Sequence, residues 1–348
     1  VSAPVIENAA PPETPAPPPR GRRLLVGGLV AAAVAGALAG TALTAPAPVP
    51  GLPEPGPVVR HGLPVVRVLL DLAAMMVVGL SLLSKMLGFD RPDRTEPVMR
   101  IARPWAVRLS LVWAACALIA VVLQSAEVSG VSPAAIWTYV DQVSAGKGLL
   151  FSAFFALVCA GVGRLAVRFG EHVPAELRIV TALFGLLPLP VTGHAADWYW
   201  HDYSMISMEL HVMTAAAWTG GLVAIAVLVA PRKSLLALAL PRYSKVATVC
   251  LGVATVTGLV NGLVQIWLTE GAELPGSLFT SGYGQLVIAK TLCLVGVALL
   301  GARIRFRLIP LIVQERTTAL VAWAAAEATV MGLAYGLAVV LTRAPITG

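Results

Sequence analysis

The 348-residue chain reads as an all-α polytopic transmembrane helix bundle of about nine helices, and three observations carry that reading. Hydrophobic residues make up 57% of the chain and charged residues 12%, where soluble domains carry about 25% charged residues. Continuous apolar runs long enough to cross a bilayer recur along the sequence, without the alternation of a membrane strand. The basic residues fall in short clusters between alternate runs, the pattern that orients a protein in a membrane. The net charge of +7 is therefore an orientation signal. No basic soluble face with interleaved aromatics is present to suggest nucleic acid, so the lipid bilayer is the expected partner.

Residues 1–23 form a Pro- and Ala-rich cytoplasmic tail. Residues 1–19 have too few large apolar side chains to offset the entropy of ordering, and disorder is expected there. The run at 24–44 follows Arg20, Arg22 and Arg23. It reads as a first span, or as the apolar part of a signal peptide whose cleavage would leave eight helices. Further runs lie at about 65–87, 105–124, 148–167, 174–195, 205–230, 246–268, 284–302 and 318–341. With the N-terminus inside, 20 of the 25 Lys and Arg residues fall in cytoplasmic segments, and only Arg60, Arg67, Lys147 and Arg343 fall outside. This places a multi-pass protein in the cytoplasmic membrane with its C-terminus outside.

An ionisable group at the centre of a transmembrane helix costs about 2.5–3.5 kcal/mol on insertion scales, so each one is a functional candidate. The candidates are Asp71, Glu209, His211, Lys290 and Glu327, with His194 at the outer end of its helix. A polar cavity opening outward would accommodate them. The densest stretch runs Met205-Ile-Ser-Met208-Glu209-Leu-His211-Val-Met213 and on to Trp218. Helical spacing puts Met208, His211 and Trp218 on one face and Met205, Glu209 and Met213 on the other. Met208 and His211 can ligate one ion, and a thioether with an imidazole suits copper. His194 lies just after Pro188, Pro190 and Gly193, which disturb the helix end. Packing of consecutive helices would bring it to the depth of His211. His201 and Asp202 form either an outer capture site or a solvated interfacial loop. Lys290 would pair with Glu327 or Asp71, as a structural pair or as part of an ion or proton pathway. Histidines on neighbouring helices also fit a second reading, axial ligation of haem.

Cys116, Cys159, Cys250 and Cys293 stand singly in apolar runs and read as small hydrophobes. Gly220-Gly221, Gly258 with Gly262, and Gly332 with Gly336 read as close-packing positions. The chain has no GxxxxGK[ST], HExxH or GxSxG motif, so an ATPase or another enzyme is not the expected class.

These residues resemble the CopD/PcoD copper resistance family. The resemblance runs through Thr192-Gly193-His194-Ala195, Leu210-His211, Ala215-Ala216-Ala217-Trp218-Thr219-Gly220-Gly221, Arg242-Tyr243-Ser244, Val256-Thr257-Gly258, Tyr283-Gly284-Gln285-Leu286, Lys290, Gly301-Ala302-Arg303 and Glu327. It divides the chain into N-terminal transmembrane helices at 24–147 and a CopD-like domain at 148–348. It implies copper handling or transport across the cytoplasmic membrane, with His194 and His211 as prominent histidines. A non-transporting copper-delivery or oxidase assembly factor is a third reading. The implied partners are an extracytoplasmic copper chaperone or cytochrome oxidase assembly components. The end at Gly348 is compatible with the CopD-like part of an actinobacterial fusion to a CtaG-like domain.

Overall fold

A computed structural model describes residues 20–44, 56–128, 130–190, 201–269, 271–314, 316 and 318–345. The disordered tail expected over residues 1–19 lies outside them. The described chain is all α-helix with short 3-10 and π segments, as lipid demands of backbone that must satisfy its own hydrogen bonds. Its helices are α1 (Arg20–Leu43), α2 (Pro57–Leu87), α3 (Pro92–Val128), α4 (Pro133–Gln142), α5 (Ser144–Phe169), α6 (Ala175–Phe184), α7 (His201–Ala224), α8 (Lys233–Leu268), α9 (Gly276–Thr280), α10 (Gly282–Arg303), α11 (Ile309–Val313) and α12 (Leu320–Leu341). π-helical turns Ile225–Val229 and Ile304–Leu308 extend α7 and α10. α2 and α3 begin well before their apolar runs, at Pro57 and Pro92, since proline at the first position is pre-set for a helix; Pro133 likewise opens the short α4, which no apolar run marks.

Among the described residues, eight helical segments are long and apolar enough to cross a membrane. The run at 174–195 behaves differently. Its helix, α6, stops at Phe184, and turns follow through Leu189. The freed carbonyl of Gly185 accepts a hydrogen bond from Ser152 Oγ at 3.2 Å, and Trp113 Nε1 donates to the same hydroxyl at 2.9 Å. This relay supplies in the apolar interior what water would supply elsewhere.

Contacts fix the direction of each helix. At one end, Lys85 of α2 pairs with Glu176 of α6. There too, Arg103 of α3 holds Glu96 at 2.8 and 2.9 Å and Glu171, just past α5, at 2.8 Å; Glu171 also takes Arg178 at 2.8 Å. Arg242, early in α8, donates to the Met86 carbonyl at 3.2 Å. We call this the basic end. At the opposite end, Arg343 pairs with Glu127, and Thr44 lies beside Gly282. The chain therefore runs away from the basic end in α1, α3, α6 and α12, and towards it in α2, α5 and α7. Between α5 and α7, α6 and its turns lead away from the basic end as far as residue 190, where the described segment stops.

Small residues bring two helix pairs into backbone contact. A Cβ at Gly79 of α2 would overlap the backbone of Gly220 of α7, and one at Gly220 would overlap the Met75 carbonyl. α1 runs parallel to α12: Gly332 and Gly336 leave room only for the carbonyls of Leu29 and Ala33. Such approaches replace hydrophobic burial as the driving force between helices in lipid. Gly220→Ala should destabilise the protein by about 1–3 kcal/mol in reversible unfolding from mixed micelles. Gly27→Ala, where an added Cβ meets nothing within 4 Å, should be neutral or slightly stabilising.

Candidate functional site

A cavity of about 240 Å³ lies between α2, α7, α8, α10 and α12. Its walls carry Arg67 and Asp71 from α2, Ser204, Met208, His211 and Thr219 from α7, Asn261 and Gln265 from α8, Tyr283 and Lys290 from α10, and Met331 and Tyr335 from α12. It extends from Tyr283 and Thr342, near the helix ends opposite the basic end, down to Trp218 and Thr219. Immediately below these, Gly220 sits against Gly79, so the α2–α7 contact forms the floor. Tyr243 strengthens that floor by donating from its buried hydroxyl to the Trp218 carbonyl at 2.8 Å.

His211 is held by its first ring nitrogen. Nδ1 lies 3.0 Å from the Ala254 carbonyl oxygen and 3.1 Å from Thr257 Oγ1. The carbonyl can only accept. The Thr257 hydroxyl is already committed as a donor to the Val253 carbonyl at 2.7 Å, so it too presents a lone pair. Both contacts require the proton on Nδ1, which leaves the Nε2 lone pair free to bind a cation. The ring rests on Gly258, where an added Cβ would fall 2.8 Å from Cε1. Nε2 points to the Lys290 ammonium, 3.5 Å away.

Below the floor lies Glu327, 3% exposed, with its carboxylate against Gly301. It stands one helical turn from Met331 and shares that face of α12. Among the described residues, no ion pair joins Lys290 to Glu327 or Asp71. The sequence reading gives Lys290 a carboxylate partner, and the fold gives it an imidazole, because α10 meets α7 and α8 at that depth. Asp71 lies four residues from Arg67 on α2, and each feels the other's charge.

Of the other candidates, Met208, His211 and Trp218 share the cavity wall, while Met205, Glu209 and Met213 lie off it. His201 and Asp202 form the first turn of α7. His194 lies outside the described residues. Among the described residues, no three His, Cys, Asp or Glu side chains gather as a metal cluster, and the four cysteines are buried and free. Sequence reasoning misses Met331, Asn261, Gln265 and Tyr335. The signal was present: Thr257, Asn261 and Gln265, like Glu327, Met331 and Tyr335, recur every four residues and mark one polar stripe on an apolar helix.

The family model described as copper resistance protein D matches residues 237–341, and that of the copper resistance protein D-like N-terminal domain matches residues 58–202. The chain belongs to the copper resistance protein D family. The stretch between the two matches contains His211 and most of α7. Among relatives, the copper transport protein CutJ of Bacillus subtilis is 32% identical over 170 residues, covering 47% of this chain and 29% of CutJ. The uncharacterized protein ML1998 of Mycobacterium leprae is 28% identical over 119 residues, covering 32% of this chain and 18% of its own. The aligned part thus spans less than a third of each relative. No solved structure matches.

The lock on His211 is directly observable. In 15N NMR of histidine-labelled protein, the His211 proton should reside on Nδ1. Gly258→Ala should shift that signal and weaken metal binding by roughly 10–100-fold, the usual cost of disturbing a ligand's support. An Nε2–H tautomer would contradict the geometry.

Proposed function

We propose that the chain carries copper across the cytoplasmic membrane, admitting it to the cavity from the outer face and passing it towards the cytoplasm. The observation that supports this most is the unprotonated Nε2 of His211 facing a transmembrane polar cavity that also presents the Met208 thioether. Imidazole and thioether together prefer copper to the hard cations that want oxygen donors. The basic end would be cytoplasmic, by the bias of Lys and Arg to that side, so the cavity lies towards the outer face and the C-terminus is outside.

Copper here is cargo. Met208 and His211 would hold it above the floor, joined by His194. His201 and Asp202 would capture it first. Release requires α2 and α7 to part at Gly79 and Gly220 and the Tyr243–Trp218 hydrogen bond to open, after which Glu327 is the next anionic group on the path. Glu327 and Asp71 would balance the charge of the moving ion. An extracytoplasmic copper chaperone would supply the ion, and oxidase assembly components are the natural consumers. CutJ is named as a copper transport protein, and transport by this chain extends that likeness. The haem reading would need a second axial histidine beside His211; His61, near the start of α2, and His172, beyond α5 at the basic end, are not on the cavity wall, which leaves that role to His194 or His201.

Proteoliposomes test the reading. The wild-type protein should move copper across a sealed bilayer. His211→Ala and Met208→Ala should each lower the rate by roughly tenfold or more, the scale on which loss of ligand support alone acts. A protein that binds copper but moves none across the sealed bilayer would instead be a delivery or assembly factor, and equal copper affinity in all three forms would remove His211 and Met208 as ligands.

A further inference from the structure

We propose that Lys290 is a charge filter that selects monovalent copper over divalent ions at His211; this rests on the reading of His211 as a copper ligand. The juxtaposition is unusual. The one nitrogen that the hydrogen bonds from α8 leave free for a metal already accepts from a lysine ammonium 3.5 Å away. Any arriving ion must displace that ammonium from the Nε2 lone pair. Lys290 is tethered to α10 and lines the same cavity, so the displaced charge stays within a few ångströms of the bound ion.

Coulomb repulsion scales with the product of the charges, so a divalent ion pays twice the penalty of a monovalent one at the same distance. The other charged groups on the wall do not cancel this. Arg67 and Asp71 carry opposite charges one helical turn apart on α2, and no carboxylate forms an ion pair with Lys290 among the described residues. The remaining donors favour the same choice, since Met208 and Met331 offer thioethers, which prefer soft monovalent copper. Around Nε2 the cavity therefore combines one imidazole, soft sulfur and a resident cation, and among the described residues the one carboxylate on its wall, Asp71, stands a helical turn from Arg67.

The test uses the full chain purified in detergent, with copper(I) affinity measured anaerobically against a competing chelator and zinc(II) as the divalent probe. Lys290→Leu and Lys290→Gln remove the charge without adding a sulfur ligand. Each should raise copper(I) affinity by about tenfold and zinc(II) affinity by about a hundredfold, because the repulsion removed is twice as large for the divalent ion. Lys290→Arg should keep the wild-type preference. Equal gains for both ions, or weaker binding of copper(I) in both neutral variants, would show that Lys290 only supports the ring and would overturn the filter. His211→Ala separates the two claims. If it leaves copper(I) affinity unchanged, the His211 site itself is wrong. If it abolishes binding while the Lys290 variants fail as described, only the filter is.

Discussion

The close approach of α2 and α7 at Gly79 and Gly220 is the constraint on which the site depends. Two helices whose backbones touch at one level diverge above it, and here the divergence is lined by the polar residues of five helices. The contact closes the cavity towards the basic end and sets the height of Trp218, whose carbonyl receives the Tyr243 hydroxyl. His211 stands two turns above the same floor on α7, facing α8 and α10. A side chain at either glycine would separate the helices and displace floor and ligand together.

Above that floor, the arrangement follows from how polar groups are satisfied without water. In lipid, a lone imidazole must find a partner, and α8 offers two acceptors one turn apart in sequence, Ala254 and Thr257. Meeting that demand decides which nitrogen carries the proton, so the same hydrogen bonds that make His211 tolerable also make it a potential ligand. The relay from Trp113 through Ser152 to the Gly185 carbonyl solves the equivalent problem at the broken end of α6. There it uses no titratable group and produces no open lone pair. The two cases differ in consequence because one ends on a carbonyl and the other begins at an imidazole facing a cavity.

The membrane class and the positions of the long helices were legible because a bilayer imposes one length on every span. The helix ends were less so. α2 and α3 extend past their apolar runs from Pro57 and Pro92, and α6 stops short where its carbonyl finds Ser152, a contact across helices that periodicity cannot show. On α7, the three- and four-residue spacing separated Met208 and His211 from Met205 and Glu209, and the cavity wall divides them in the same way. The partner of Lys290 was not legible. Charge alone pointed to Glu327 or Asp71, while the neighbour is set by which helices meet at that depth. Met331, Asn261 and Gln265 were within reach of the same periodic argument, but uncharged residues on apolar helices drew less attention than ionisable ones.

The central claim is that one imidazole and thioether sulfur hold copper inside the bundle, and X-ray absorption on copper-loaded protein tests it most directly. The account predicts a low-coordinate copper(I) site with sulfur and a single imidazole nitrogen in the first shell, lost in His211→Ala. A first shell of oxygen and nitrogen without sulfur, or an unchanged spectrum in His211→Ala, would contradict it.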